Sequence, residues 1–179
     1  MVEHSEFPEY HRLLCPRIAL LVTALRKDGL PNSMVAAWHT PVSINPPILA
    51  ISITPARMTH RLIQETGEFT LSIPDESMLA IVIQAGSVSG EVQDKSGLFQ
   101  YAPALRLRTP IIKNALGNIE CELNRMIETG DHSVIFGNVL ATSARGFNEV
   151  WTNSSPLLHL GSDYYTVMGK RINSKDFEQ

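Results

Sequence analysis

The stretch of this chain richest in chemical possibility is Ile51-Ser-Ile-Thr-Pro-Ala-Arg-Met-Thr-His60. A strand ends there, Pro55 turns the chain and a helix begins. Ser52, Thr54, Arg57 and Thr59 set hydroxyls and a guanidinium beside a helix amino terminus, whose free N–H groups and partial positive charge suit an anion. The planar fork of Arg57 matches phosphate oxygens. The same residues also fit a plainer arrangement, with Thr59 capping the helix and Arg57 solvated. A second polar loop, residues 86–97, can bring Ser89 or Lys95 to the same anion, or it can stand as hydrated surface. Asn32-Ser-Met-Val-Ala-Ala-Trp38 holds small residues that let a planar ligand approach the backbone, although Trp38 fits an ordinary core equally well. Gly130-Asp-His132 turns into a long strand, so His132 sits at a sheet rim as either a hydrogen-bonded turn residue or a catalytic one.

Positioning these residues requires a particular set of elements. Residues 18–25 are an apolar run too short for a buried helix and read as a central strand. Asp28-Gly29 is a hairpin turn, and a returning strand follows through 32–38. Residues 42–45 and 48–53, separated by Pro46-Pro47, make another extended pair. The period then changes. Residues 59–66 predict a short helix stopped by Gly67, 69–73 a strand closed by Pro74, and the next stretch a second helix capped by Asp75 or Ser77 and stopped by Gly86. Residues 87–100 read as loop, 119–124 and 133–141 as strands joined at Gly130-Asp131, and 157–160 with 164–168 as a last hairpin. Many short strands with two inserted helices predict a mainly β fold, a small barrel carrying helices. A polar lead-in (1–15), one domain (16–170) and a short tail (171–179) divide the chain.

Composition narrows the function. The 179 residues carry Lys+Arg 15 against Asp+Glu 18, a formal net charge of -3, so no bulk positive field draws nucleic acid or anionic membrane. No apolar run approaches the roughly 20 residues of a membrane helix, and no secretory signal is visible. Cys15 and Cys121 lie far apart and read as idle thiols of a reducing cytoplasm, and the six histidines form no zinc pattern. Rossmann and P-loop glycine motifs are absent, as are the hydrolase elbow and the zinc-protease helix.

Taken in order, Asp28-Gly29, Asn32 to Trp38, Val42-Ser-Ile-Asn-Pro-Pro47, Ser52-Ile-Thr-Pro-Ala-Arg-Met-Thr59, Glu65-Thr-Gly-Glu-Phe69, Asp94-Lys95, Glu120-Cys121 and Gly130-Asp-His132 with Gly137-x-Val139 resemble the flavin reductase-like family. The resemblance implies an FMN-binding split β-barrel with Greek-key antiparallel strands, of the flavoredoxin or NAD(P)H:flavin oxidoreductase type. It implies that Asn32, Ser33, Met34, Val35, Ala36 and Trp38 run along the isoalloxazine ring. Ser52, Thr54, Arg57 and Thr59 would surround the ribityl chain and phosphate, and the loop holding Ser89 and Lys95 would close over them. His132 would face the nicotinamide side of the flavin. NADH or NADPH is the implied donor, a monooxygenase or other electron acceptor the implied partner, and a homodimer with flavin near its interface the implied assembly. An FMN-binding electron carrier without NAD(P)H activity shares every one of these contacts. A small barrel binding another anion through Arg57 and Thr59 is the reading that uses no flavin. One departure stands out: Ser89-Gly-Glu-Val-Gln-Asp-Lys95 is more acidic than a phosphate grip wants.

Overall fold

The computed structural model describes residues 9–170; most of the expected lead-in (1–8) and the tail 171–179 lie outside the described residues. After a 3-10 turn at Tyr10–Leu14 come β1 (Arg17–Ile18), β2 (Leu20–Leu25), β3 (Pro31–Ala36), β4 (His39–Ser43), β5 (Ile48–Ile53), α1 (Met58–Thr66), β6 (Glu68–Ile73) and α2 (Leu79–Ser87). There follow β7 (Tyr101–Ala102), β8 (Ile111–Ile112), β9 (Gly117–Thr129), β10 (His132–Ala144), β11 (Leu158–Gly161) and β12 (Tyr164–Thr166). Seven strands form one antiparallel sheet in the order β3-β2-β6-β9-β10-β5-β4. Its edge strands do not pair with each other, so the barrel is split.

β2 explains why the first apolar run lacks alternation, because it is covered on both faces. Leu20, Val22 and Ala24 face the barrel interior with Leu62 and Ile63 of α1, whereas Ala19 and Leu21 face Val82 and Ala85 of α2. The expected strand 18–25 breaks at Ala19, and its first residues, β1, join β11 and β12 in a separate three-stranded sheet. The β2–β3 turn is built as its sequence demands: Gly29 takes φ +82, and Asp28 accepts a hydrogen bond from the Leu30 amide at 3.1 Å.

α1 ends at Gly67, whose φ of +71 lets its amide reach the Ile63 carbonyl at 2.9 Å. α2 behaves differently from expectation. Asp75 caps the short 3-10 turn Glu76–Met78 that leads into it, but Gly86 lies inside the helix, which runs to Ser87. The reason is Lys95, whose ammonium donates to the carbonyls of Ala85 (3.0 Å) and Val88 (3.1 Å), so no left-handed glycine is needed to satisfy the helix end.

β9 and β10 are 13 residues each, longer than the expected 119–124 and 133–141. The part of each strand that extends past its second neighbour, residues 124–129 of β9 and 140–144 of β10, is paired on one side only and carries mainly exposed side chains, which erases the alternation there. At Gly137 a Cβ would lie 2.6 Å from the Phe69 ring and 2.9 Å from Cys121 Cβ, so only glycine fits this bulge against the core. The β7–β8 pair falls in a stretch whose sequence shows no period.

Candidate functional site

The opening of the split barrel is the candidate site. β3 is an edge strand, so its outer backbone groups are not used in the ladder and face the gap toward β5. The gap is tied at its base where the Ser52 amide donates to the Trp38 carbonyl at 2.9 Å. A cleft follows the β3 edge as two contiguous chambers that share Met34, Val35 and Arg57.

The smaller chamber, about 50 Å³, is enclosed by Asn32, Thr59, Gly86, Ser89, Gly90, Lys95 and the shared residues, and among the described residues no carboxylate lines it. Its floor is the amino terminus of α1. Arg57 occupies the capping position without a side-chain cap bond, leaving the amides of Met58 and Thr59 without partners in the helix. Thr59 does not cap; it is buried and its hydroxyl accepts from the Asn32 amide nitrogen at 2.8 Å. Gly90 presses on the same Asn32, where a Cβ would fall 2.0 Å from Oδ1. Two cations meet here. Burial first, and the Arg57 guanidinium second, hold the Lys95 ammonium below the usual lysine range. Like charges placed together over orphan helix amides make a socket for an anion.

The loop's acidity is turned outward. Glu91 pairs with Arg61 at 2.7 Å and Asp94 with Arg26 at 3.1 Å, so neither carboxylate opposes an anion in the chamber.

The larger chamber, about 300 Å³, holds Met34, Val35, Ala36, Trp38, Ser52, Thr54, Arg57 and His132. Trp38 belongs to neither apolar core cluster; it stacks on His132 with centroids 4.8 Å apart and planes at 27°, with His11 on it at 5.4 Å. His132 Nδ1 donates to Asp131 at 2.8 Å, which holds that carboxyl below its ordinary range and leaves Nε2 for a ligand.

Of the residues singled out from sequence, all but Ser33 line one chamber or the other. Ser33 points into the core, bonded to Thr23 Oγ1 at 2.7 Å and Tyr101 Oη at 2.9 Å, because alternation along β3 turns it to the opposite face from Asn32 and Met34. Lys95 reaches the chamber as an anchored helix cap, not as a free arm.

With this geometry in place, the comparison with known families is direct: the Flavin reductase like domain matches residues 11–168. The chain belongs to the flavin reductase-like family. Within this flavoprotein family it is 35% identical over 165 residues to an uncharacterised protein of Archaeoglobus fulgidus, covering 91% of this chain and 90% of that one. An FMN-binding protein of Thermus thermophilus with bound 1-cyclohex-2-enone superimposes with a TM-score of 0.85 at 25% identity, over 97% of each chain. Flavoredoxin of Methanosarcina acetivorans gives 0.81 at 27% identity, covering 97% of this chain and 93% of that one. The split barrel is the fold these neighbours share. Among the described residues no helix is long and apolar enough to cross a membrane.

Other residues of this flavin reductase-like cleft escape sequence reasoning. Gly90 was one small residue in a polar loop, and its contact with Asn32 joins segments far apart in the chain. His11, Arg12, Arg17 and His159 line the larger chamber because the short β1–β11 pairing brings residues 11–17 and 159–162 together there. A two-residue strand leaves no periodic trace that could have found them.

Proposed function

We propose that the cleft holds FMN and that the protein is an NAD(P)H-dependent flavin reductase, an NAD(P)H:flavin oxidoreductase. The observation that carries the reading is the pairing of a small chamber, lined by two cations, orphan helix amides and no carboxylate, with a larger one walled by an edge strand and stacked aromatic rings. The residues fit the cofactor. Arg57, Lys95, Ser89, Thr59 and the first amides of α1 would hold the phosphate; Ser52 and Thr54 would flank the ribityl chain; and Asn32, Met34, Val35, Ala36 and Trp38 would line the ring. Ser33 contributes backbone alone. FMN, when bound, supplies the hydride acceptor, and the nicotinamide of NADH or NADPH the hydride.

The protein's part is to orient. An edge strand of amides gives donors that favour negative charge on the ring. His132, its Nδ1 committed to Asp131, offers Nε2 to the donor's carboxamide. Exposed Tyr10, Leu13 and Leu14 beside the cleft support a homodimer with flavin near its interface. Two free thiols support a cytoplasmic setting. A monooxygenase or another oxidant would receive the electrons.

The test is the visible spectrum of the purified protein before and after anaerobic addition of NADH, then NADPH. Flavin bands that bleach support the reductase and name its donor. Bands that persist with both leave an FMN electron carrier of the flavoredoxin kind, and no bands after FMN is supplied refute the cofactor. Unchanged hydride-transfer kinetics in His132→Ala would remove that residue from the reaction.

A further inference from the structure

The mouth of the larger chamber is walled by the small β1-β11-β12 sheet, and three basic side chains meet there from separate segments. Arg17 of β1 and His159 of β11 are direct cross-strand partners, and both line the chamber, so they stand side by side on one face. Gly161, two residues further along β11, shares that face, and a Cβ placed on it would lie 3.7 Å from Arg12 Cγ and Cδ. Arg12 therefore lies against the same wall.

These groups are not equally engaged. Arg12 carries Glu9 at 2.7 Å as an exposed ion pair. His159 is oriented by a bond from Nε2 to the Ser162 carbonyl at 2.9 Å. Arg17 is half-buried, pairs with no carboxylate among the described residues, and donates to the His11 carbonyl at 3.3 Å. A guanidinium has five N–H donors, so most of its fork has no partner among the described residues. Among the described residues no Asp or Glu lines the chamber, although the chain as a whole is acidic at -3. A half-buried guanidinium that no described carboxylate neutralises, in a cleft shared with Trp38 and His132, suits a ligand that is planar at one end and multiply anionic at the other.

We propose that this rim is a phosphate-recognition subsite for the electron donor, with Arg17 as its specificity-determining residue. The inference rests on the flavin reductase reading and adds to it the group recognised: a phosphate of the nicotinamide dinucleotide. Two phosphates share that chemistry, the 2′-phosphate found in NADPH alone and the diphosphate bridge common to both donors.

The experiment is calorimetric titration of the FMN-saturated full chain with NADP+ and NAD+, which bind without reacting, for the wild type, Arg17→Gln and Arg17→Lys. Arg17→Gln weakens binding about tenfold or more, the equivalent of ~1.4 kcal/mol, Arg17→Lys recovers part of the loss, and the wild-type affinity falls with added salt more steeply than that of Arg17→Gln. A loss confined to NADP+ assigns the rim to the 2′-phosphate; an equal loss for both assigns it to the diphosphate. Affinities within twofold of wild type for both ligands, in an Arg17→Gln protein of unchanged melting temperature, overturn the proposal. The rim residues are separate from the small chamber, so the same titration without FMN distinguishes failure of the flavin reading from failure of the subsite.

Discussion

Gly90→Ala tests the small chamber at its tightest point. A Cβ on residue 90 would sit 2.0 Å from Asn32 Oδ1 and 3.0 Å from Met58 Sδ, and real Cβ atoms essentially never come closer than 3.0 Å, so the amide must retreat by at least 1.0 Å. Asn32 has little freedom to do so. It is 3% exposed, and its Nδ2 donates to Thr59 Oγ1 at 2.8 Å, so rotating the amide away breaks that bond in a dry setting. A buried hydrogen bond lost with its donor unsatisfied costs about 1–3 kcal/mol. For a domain of this size each kcal/mol lowers the melting temperature by roughly 2–4 °C. The alternative is for the loop to lift, which preserves Asn32 but withdraws Ser89 from the socket. Either way the phosphate wall moves, and FMN weakens by about tenfold or more while riboflavin, lacking the phosphate, loses less, its share being the contact of Asn32 with the ring. Thermal unfolding and flavin fluorescence titration read the two effects separately. Asn32→Gly removes the obstructing amide, so the double variant loses less than the sum of the singles. A Gly90→Ala protein that melts with the wild type and keeps its FMN affinity would refute this account of the chamber.

Arg57→Ala weakens FMN by about 1.5–3 kcal/mol if its guanidinium makes a charge-assisted bond, and leaves riboflavin nearly untouched; equal effects on the two, measured by fluorescence titration, would place Arg57 elsewhere. Lys95 gives a pH signature. Its folded-state proton is held less tightly than in the unfolded chain, so the charged form opposes folding until the pH rises through the depressed value toward 10.5, where the opposition fades. A bound phosphate reverses that depression, so FMN binding takes up a proton in this window and weakens as pH rises through it; Lys95→Met, titrated over the same range, shows a flat alkaline profile. Burial first, and the neighbouring Glu120 second, push the Cys121 thiol up to about 12, so it stays protonated at neutral pH. A thiol-exchange reagent therefore counts Cys15 in the native protein and both cysteines after denaturation.

The elements that position the site were legible where local chemistry is decisive. Asp28-Gly29 fixed a hairpin and Gly67 a helix end because each needs a positive φ that its sequence supplies. The end of α2 departs from its local sequence for the opposite reason: its last carbonyls are satisfied by Lys95, from outside the helix, and no local residue announces that. The site divides the same way. Arg57 and Thr59 sit on one turn, and their relation to a helix start can be read from spacing, yet whether Thr59 caps or is held by Asn32 depends on β3 lying across α1. Asn32 and Ser33 are adjacent polar residues, and only the pairing of β3 decides that one faces the cleft and the other the Thr23–Tyr101 hydroxyl chain.

Charge shows most plainly why composition and site have to be argued apart. A net charge of -3 speaks against a polyanion partner, and that inference concerns the average surface. The cleft inverts the average by segregation. Glu91 and Asp94, which make the 86–97 loop acidic in sequence, are drawn outward by Arg61 and Arg26 on neighbouring elements. What faces inward is Lys95 with Arg57, and at the far mouth Arg17 with Arg12. An outer shell of ion pairs thus leaves Arg57 and Arg17 without a carboxylate partner among the described residues along one channel, where low-dielectric walls concentrate their field on a small anion while the surface as a whole repels a large one. The same segregation makes the cleft's affinity for anions fall with ionic strength even though the protein is acidic, a dependence that Arg61→Gln would flatten, along with the affinity itself, by releasing Glu91 toward the chamber.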